Sequence, residues 1–409
     1  MKKENLNSII YLSTDFFSKV IPFLLIPIIT TYLSPIEYGE ISIINIIIEI
    51  TTILILLAAN TYYRVEFFKV DKDDRLILLN RLISNVILNY LIITILLLFT
   101  NKFYPEIHYS TSIITTIALF QSIIYIYISY FQCKEKSISV GIINISFATL
   151  SNFLFLFLII KLNLKEDARY YSYLISVVIL CVIIFLFLKE KKYFLKPKLI
   201  PPYYRFGFEI LPHAISWWAR NGIERLLIAN YISIYTVGVY SLALQFISIL
   251  VIVSNALNQA YMPAIMKSMV DKNSKLTNNI IKKIIIINIV FCLSLSISSY
   301  FILPIFINKE FALAKNYLSI MALSFIFQAI IAAYSNIFYF YKKNKQLSII
   351  TFISSLLNIM LIFIILQIDN NIYYVILLSS LTYLLSAIFI YSKANSLIKR
   401  NENDSPENI

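Results

Sequence analysis

The chain has 409 residues, of which 59% are hydrophobic and 14% charged, with a formal charge of +13 and a mean hydropathy of +0.78. A soluble domain of this size needs far more charge on its surface, so the composition specifies an integral membrane protein. The basic residues fall in short tracts between apolar runs, the pattern of loops facing anionic lipid and not of a nucleic-acid-binding surface.

A span needs about 20 apolar residues at 1.5 Å each. The opening "MKKENLNSIIYLSTDFFSKV" is basic and then apolar, as a signal peptide is. Asp15 and Lys19 interrupt its apolar stretch and no small-residue cleavage site follows, so it is expected to be a retained first helix. Six spans are expected at 8–32, 40–63, 76–100, 110–131, 138–160 and 170–188. The stretch 189–207, "KEKKYFLKPKLIPPYYRFG", is basic and carries prolines, as a linker between halves would. Six more spans follow at 208–231, 238–265, 279–306, 314–340, 346–367 and 372–392, and 393–409 reads as a polar, disordered tail. Cys133, Cys181 and Cys292 have no paired spacing and read as small core residues, neither disulfides nor metal ligands.

Lysine and arginine orient this bundle. Both termini and the even-to-odd loops hold 26 of the 35, against six (Lys102, Lys161, Lys165, Arg169, Lys309 and Lys315) in the opposite loops. That asymmetry predicts both termini in the cytoplasm.

The halves repeat. "YLSPIEYGEIS" (Tyr32–Ser42) aligns without a gap on "YISIYTVGVYS" (Tyr231–Ser241), which pairs Gly39 with Gly238. "FQSII" at Phe120 likewise matches "FQAII" at Phe327. Six spans per half make the repeats parallel, an arrangement used by transporters with a site between the halves. The expected fold is therefore all-α and integral to the membrane, with twelve helices in two six-helix lobes around a central cavity.

Charged residues sit inside several spans. Within "ISWWARNGIERLLIANY" (Ile215–Tyr231), helical geometry puts Trp217, Arg220, Asn221 and Glu224 in one arc of about 80° together with His213, and Arg225 lies beside it. In the first span Asp15 and Lys19 are in i,i+4 relation. In the second, Ser42, Asn45 and Glu49 form a polar stripe, and Arg64 and Glu66 close its cytoplasmic end. Two readings stand: buried ion pairs that fix helix packing, or faces lining a hydrated cavity. Polar faces on the equivalent first and seventh helices favour the second. Pro22, Pro27, Pro212, Pro263 and Pro304 also fall within spans and are expected to kink them.

"IPIITTYLSPIEYGEISIIN", "NGIERLLIANYISIYTVGVYSLALQF" and "NALNQAYMPAIMK" together resemble the Wzx-type lipid-linked oligosaccharide flippases. These form the O-antigen and capsule branch of the multidrug/oligosaccharidyl-lipid/polysaccharide (MOP) exporter superfamily. The resemblance covers nearly the whole chain. It implies translocation of an undecaprenyl-diphosphate-linked repeat unit from the cytoplasmic to the outer leaflet of the cell membrane by alternating access. It also implies H+ or Na+ as driving ion, polymerase and chain-length partners, and no cofactor. Arginine binds phosphate oxygens bidentately and stays charged. Arg220 and Arg225, with Lys19, Arg64, Asn221 and Trp217, are therefore the expected substrate-binding residues. Asp15, Glu49 and Glu224 are expected as ion-coupling groups or charge partners. Asp15, Lys19, Glu49, Arg220, Glu224 and Arg225 sum to zero charge, which points to a neutral or zwitterionic glycan.

A drug or cation antiporter of the same superfamily is the alternative, and would want cavity carboxylates without a fixed arginine. A membrane polysaccharide polymerase would want a large external loop, which the short external loops here do not provide. No nucleotide-binding loop, metal cluster or nucleophile triad occurs in the sequence, so catalysis is not expected.

Overall fold

The computed structural model describes residues 2–72, 74–103, 110–187 and 198–403. These form fourteen α-helices. The first eight are α1 (Lys2–Leu24), α2 (Ile26–Tyr32), α3 (Pro35–Leu56), α4 (Ala59–Glu66), α5 (Asp74–Phe103), α6 (Thr111–Cys133), α7 (Ser137–Leu162) and α8 (Asp167–Phe187). Six follow: α9 (Pro201–Tyr231), α10 (Ile234–Val270), α11 (Ser274–Phe306), α12 (Ala314–Phe340), α13 (Asn344–Leu366) and α14 (Ile372–Asn403). Ten described stretches, with α3 and α4 counted as one, are long and apolar enough to cross a membrane. The broken pair α1–α2 and the charged α9, about 46 Å long, bring the total to twelve segments. The chain is an all-α, multi-pass membrane protein.

The helices fall into two compact units, Met1–Leu33 with Glu40–Trp218, and Ser34–Gly39 with Ala219–Ile409. The boundary lies inside α9, between Trp218 and Ala219, and not in a loop. In the first unit α1 packs on α7, α7 and α6 on α8, and α5 on α6. In the second, α12 packs on α10, α11 and α14, and α13 on α14.

Two expected spans are broken. The first ends α1 at Leu24 and restarts as α2, with Pro27 in the opening turn, where a missing N–H costs least. The second breaks at Leu57 and Ala58, both in the left-handed region at φ 43° and 58°. The carbonyls this break frees are bonded by side chains. Asn89 donates Nδ2 to the Ile55 oxygen at 3.0 Å, and Tyr203 donates its hydroxyl to the Leu56 oxygen at 3.0 Å. Gly207 lets α9 approach this point, since a Cβ there would lie 2.6 Å from both Cγ and O of Leu57.

The ends of the chain's elements also differ from expectation. α9 begins at Pro201, inside the expected linker, and α14 runs on to Asn403 through most of the expected tail. Ala387, Ile390, Ala394, Leu397 and Ile398 recur at helical spacing and are buried, which carries the helix past its basic surface residues. Residues 189–197 of the linker and 404–409 of the tail lie outside the described residues. Pro22, Pro212, Pro263 and Pro304 are all accommodated inside continuing helices.

The aligned glycines of the repeat meet in space. In the second unit the first turn of α3 lies across the first turn of α10. A Cβ on Gly39 would overlap the Ile234 carbonyl oxygen and stand 3.1 Å from the Gly238 nitrogen. A Cβ on Gly238 would overlap the Pro35 carbonyl. Beside this crossing Tyr38 donates its hydroxyl to Gln245 and sets its ring edge-on to Phe311.

Candidate functional site

Arg220, Glu224 and Arg225 of α9 lie in the second unit, because the helix enters it at Ala219. Glu224 is buried, with 6% of its surface exposed. Its carboxylate accepts the Tyr240 hydroxyl of α10 at 2.6 Å and the Ser379 hydroxyl of α14 at 3.1 Å. One carboxylate thus joins three helices through charge-assisted bonds, roughly twice as strong as neutral ones. Arg225 and Arg220 are the positive charges within its electrostatic reach.

Arg220 is half-buried. Its guanidinium lies over the Tyr383 ring of α14, 3.7 Å from the centroid, an attraction to the negative face of the ring. Nη2 stands 3.5 Å from the Ser354 hydroxyl of α13, the outer limit of a hydrogen bond. Nε is buried with no hydrogen-bond partner among the described residues. A guanidinium has five N–H donors, and among the described residues its side-chain partners are the Ser354 and Tyr383 hydroxyls. Behind it runs a ladder of small polar groups. Ser386 donates to Ser354, Ser354 to the Thr382 carbonyl at 3.4 Å, and Thr382 to Asn358 Oδ1 at 3.0 Å. The ladder holds α13 and α14 in register under the arginine.

The remaining expected residues are placed as follows. Lys19 is exposed on α1, and Glu49 is exposed on α3. Arg64 is exposed on α4 and donates Nε to the Asn60 carbonyl at 3.4 Å. His213 is exposed on α9. Asp15 is on α1, and Trp217 and Asn221 are on α9; their side chains lie outside the described residues. Trp218, next to Trp217, donates its indole N–H to the Ile46 carbonyl of α3 at 3.0 Å, inside the first unit. Arg220, Glu224 and Arg225 are therefore grouped in one unit, and Lys19, Glu49 and Arg64 belong to the other.

Sequence reasoning overlooked one arginine. Arg169, counted above with the loop residues, is half-buried in the first turn of α8. Its guanidinium lies 3.8 Å from the Tyr173 centroid and 5.4 Å from that of Phe155. Nε donates to Asn45 Oδ1 at 2.9 Å and Nη2 to the Tyr173 hydroxyl. The i,i+4 pair in "ARYYSYL" could have revealed it. The small hydroxyls of "SSLTYLLS" (Ser379–Ser386) were overlooked too, although their helical spacing marks one polar face on α14. Among the described residues no three His, Cys, Asp or Glu side chains gather as a metal site.

Comparison with known proteins agrees with this architecture. Residues 6–269 match the family described as polysaccharide biosynthesis protein, and residues 216–364 match the MatE family. Two relatives come from Haemophilus influenzae. One, named "Uncharacterized membrane protein", is 24% identical over 86% of this chain and 87% of its own length. The other, "Lsg locus putative protein 1", is 23% identical over 86% and 88%. Among solved structures, an inward-facing multidrug resistance MATE family transporter of the MOP superfamily superposes with a TM-score of 0.74. It is 11% identical and covers 95% of this chain and 96% of its own. A Pyrococcus furiosus MOP superfamily transporter, described as having a binding pocket of reverse polarity, gives a TM-score of 0.56. It is 11% identical and covers 98% and 96%. With most of its length matched, the chain belongs to the polysaccharide biosynthesis protein family, on a fold shared with transporters of the MOP superfamily and not with enzymes.

Proposed function

We propose that this transporter is a flippase for an undecaprenyl-diphosphate-linked oligosaccharide, carried from the cytoplasmic to the outer leaflet for O-antigen or capsule synthesis. The sugar and diphosphate cannot enter hydrocarbon unaided, because each unsatisfied polar group costs several kcal/mol there. They need a hydrated, polar passage, while the polyprenyl tail stays in lipid.

The observation that carries this reading is the state of Arg220. A guanidinium within a membrane segment is braced on Tyr383, with its Nε–H unpaired among the described residues. Such a group matches the paired oxygens of a diphosphate, which a planar fork binds bidentately. Arg225, Lys19, Arg64, Asn221 and Trp217 assist in binding. Glu224, whose Oε1 accepts from Tyr240 and Ser379, serves as the charge partner of the arginines. Asp15 and Glu49 remain the groups for H+ or Na+ coupling. The lysine and arginine bias puts both termini in the cytoplasm, where the lipid-linked substrate is made. Polymerase and chain-length proteins would take over the product outside.

The MatE match over 216–364 favours a second reading, a drug or cation antiporter. Arg220 lies within that same segment and would repel a cationic drug. The test is Arg220→Ala in the native host. Surface polysaccharide is expected to be lost, and lipid-linked oligosaccharide to accumulate, while the protein stays in the membrane at normal level. Normal glycan display with the variant in place would remove Arg220 from the site. Altered drug tolerance with normal glycan would favour the antiporter.

A further inference from the structure

We propose that α3, α6 and α8 of the first unit carry a subsite for an uncharged sugar ring, built on the exposed ring of Tyr125 and the carboxylate of Glu49. The proposal rests on the flippase reading and assigns the glycan part of the cargo to residues outside the charged cluster of α9.

Glu49 stands about 21 Å along α3 from Pro35, well inside a membrane segment, yet its side chain is exposed. A carboxylate at that depth is costly against lipid and needs polar partners or water around it. Tyr125 on α6 is 37% exposed, and its phenol is within electrostatic reach of the Glu49 carboxylate and the Tyr173 phenol. Polar groups of α3, α6 and α8 therefore come together here.

Its polar groups are held in place from behind. Gln121 takes a hydrogen bond from Thr52 at 3.4 Å and donates Nε2 to the Tyr125 hydroxyl at 3.1 Å, which fixes the ring. Arg169 donates to Asn45 Oδ1, and this leaves the Asn45 amide N–H groups to donate outward. Arg169 itself is clamped on the Tyr173 ring and hydroxyl, with Nη1 still able to donate. Asn45 and Glu49 are one helical turn apart on the same face of α3.

This set suits a sugar. The C–H face of a pyranose is apolar and stacks on an aromatic ring, and Tyr is well fitted to a surface that is apolar on one side and wet on the other. Paired hydroxyls can donate to a carboxylate and accept from amide and guanidinium N–H groups. Glu49 offsets the charge of Arg169, so the face has no net attraction for phosphate and favours the sugar over the diphosphate. Glu49 and Arg169 cancel in charge, in keeping with a neutral glycan.

The test uses the full chain in lipid nanodiscs. Binding of undecaprenyl diphosphate, and of the same lipid carrying one N-acetylglucosamine, is read by quenching of the two tryptophans. Trp218 is bonded to α3 at Ile46, within a turn of both Asn45 and Glu49. Wild type is expected to bind the glycosylated lipid about tenfold more tightly, the scale of a ring contact plus a hydrogen bond. Tyr125→Ala and Asn45→Ala should bring that ratio close to one. Tyr125→Phe, which keeps the ring and guards against a folding defect, should retain most of it. Arg220→Ala should weaken both lipids and preserve the ratio. Equal binding of the two lipids by wild type, or an unchanged ratio in Tyr125→Ala and Asn45→Ala, overturns the subsite and leaves the flippase reading standing. Binding of neither lipid by wild type overturns both.

Discussion

Gly39 and Gly238 touch backbone to backbone in the second unit, and they are also the two glycines that align when the halves of the sequence are superposed. The contact is close because neither residue has a side chain, and carbonyl oxygens of the facing turn occupy the space a Cβ would need. Alanine at either position must push α3 and α10 apart. Overpacking of this kind costs about 1–3 kcal/mol, and here the obstacle is rigid backbone. Both Gly39→Ala and Gly238→Ala are expected to lower the melting temperature of the purified protein by several degrees. Valine should prevent its accumulation in the membrane. An unchanged melting curve for the alanine variants would mean that the two turns do not cross this closely.

The break between α3 and α4 gives a second expectation. Tyr203 and Asn89 bond the carbonyls freed at Leu56 and Ile55, and Asn89 also donates to the Tyr203 hydroxyl at 3.1 Å. Tyr203→Phe removes the hydroxyl and strands the Leu56 carbonyl, at about 1–3 kcal/mol for a buried polar group left unsatisfied. The effect should be local. Amide hydrogen exchange at residues 55–60 is expected to quicken, with little change in α12 or α14. Uniform loss of protection across the chain would contradict a capping role.

Much of this was legible beforehand, and the reasons for the exceptions are physical. Ten of the twelve segments carry runs of apolar residues long enough to read directly, and the first and seventh are recognised despite their charges. The break at Leu57–Ala58 was not readable, because neither residue is glycine or proline; distant side chains and the approach of Gly207 hold it open. Arg169 was misread because loop and first turn are adjacent in sequence, while its partner Asn45 lies 124 positions away. The polar residue types of the α9 arc are visible in the sequence. What each one touches is decided by α10, α13 and α14, which the local pattern does not encode.

Glu224 illustrates the difference. From α9 alone its neighbours are Arg220 and Arg225, but its hydrogen bonds come from Tyr240 and Ser379. Glu224→Gln keeps an acceptor oxygen of the same shape, and should hold both hydroxyls with modest loss of stability. Glu224→Leu strands the two hydroxyls and also leaves Arg225 and Arg220 without their carboxylate, so it should cost several kcal/mol more. The comparison is made by thermal unfolding of the two variants side by side. Equal melting temperatures would show that the hydroxyl contacts carry no weight.

Arg220 and Tyr383 allow charge to be separated from shape. The guanidinium carbon sits 3.7 Å from the ring centroid, within the range of a cation–π contact. Lysine in the same place keeps the charge but offers a compact ammonium with no plane to stack and no fork for paired oxygens. Arg220→Lys is therefore expected to retain under a tenth of wild-type glycan display, close to Arg220→Ala. Tyr383→Phe preserves the ring and should stay near wild type, whereas Tyr383→Leu removes the bed on which the arginine rests and should fall with Arg220→Lys. Each variant is scored by surface polysaccharide per unit of membrane-inserted protein. Full activity of Arg220→Lys would mean that positive charge alone suffices, and the stacked geometry would then have no part in holding the cargo.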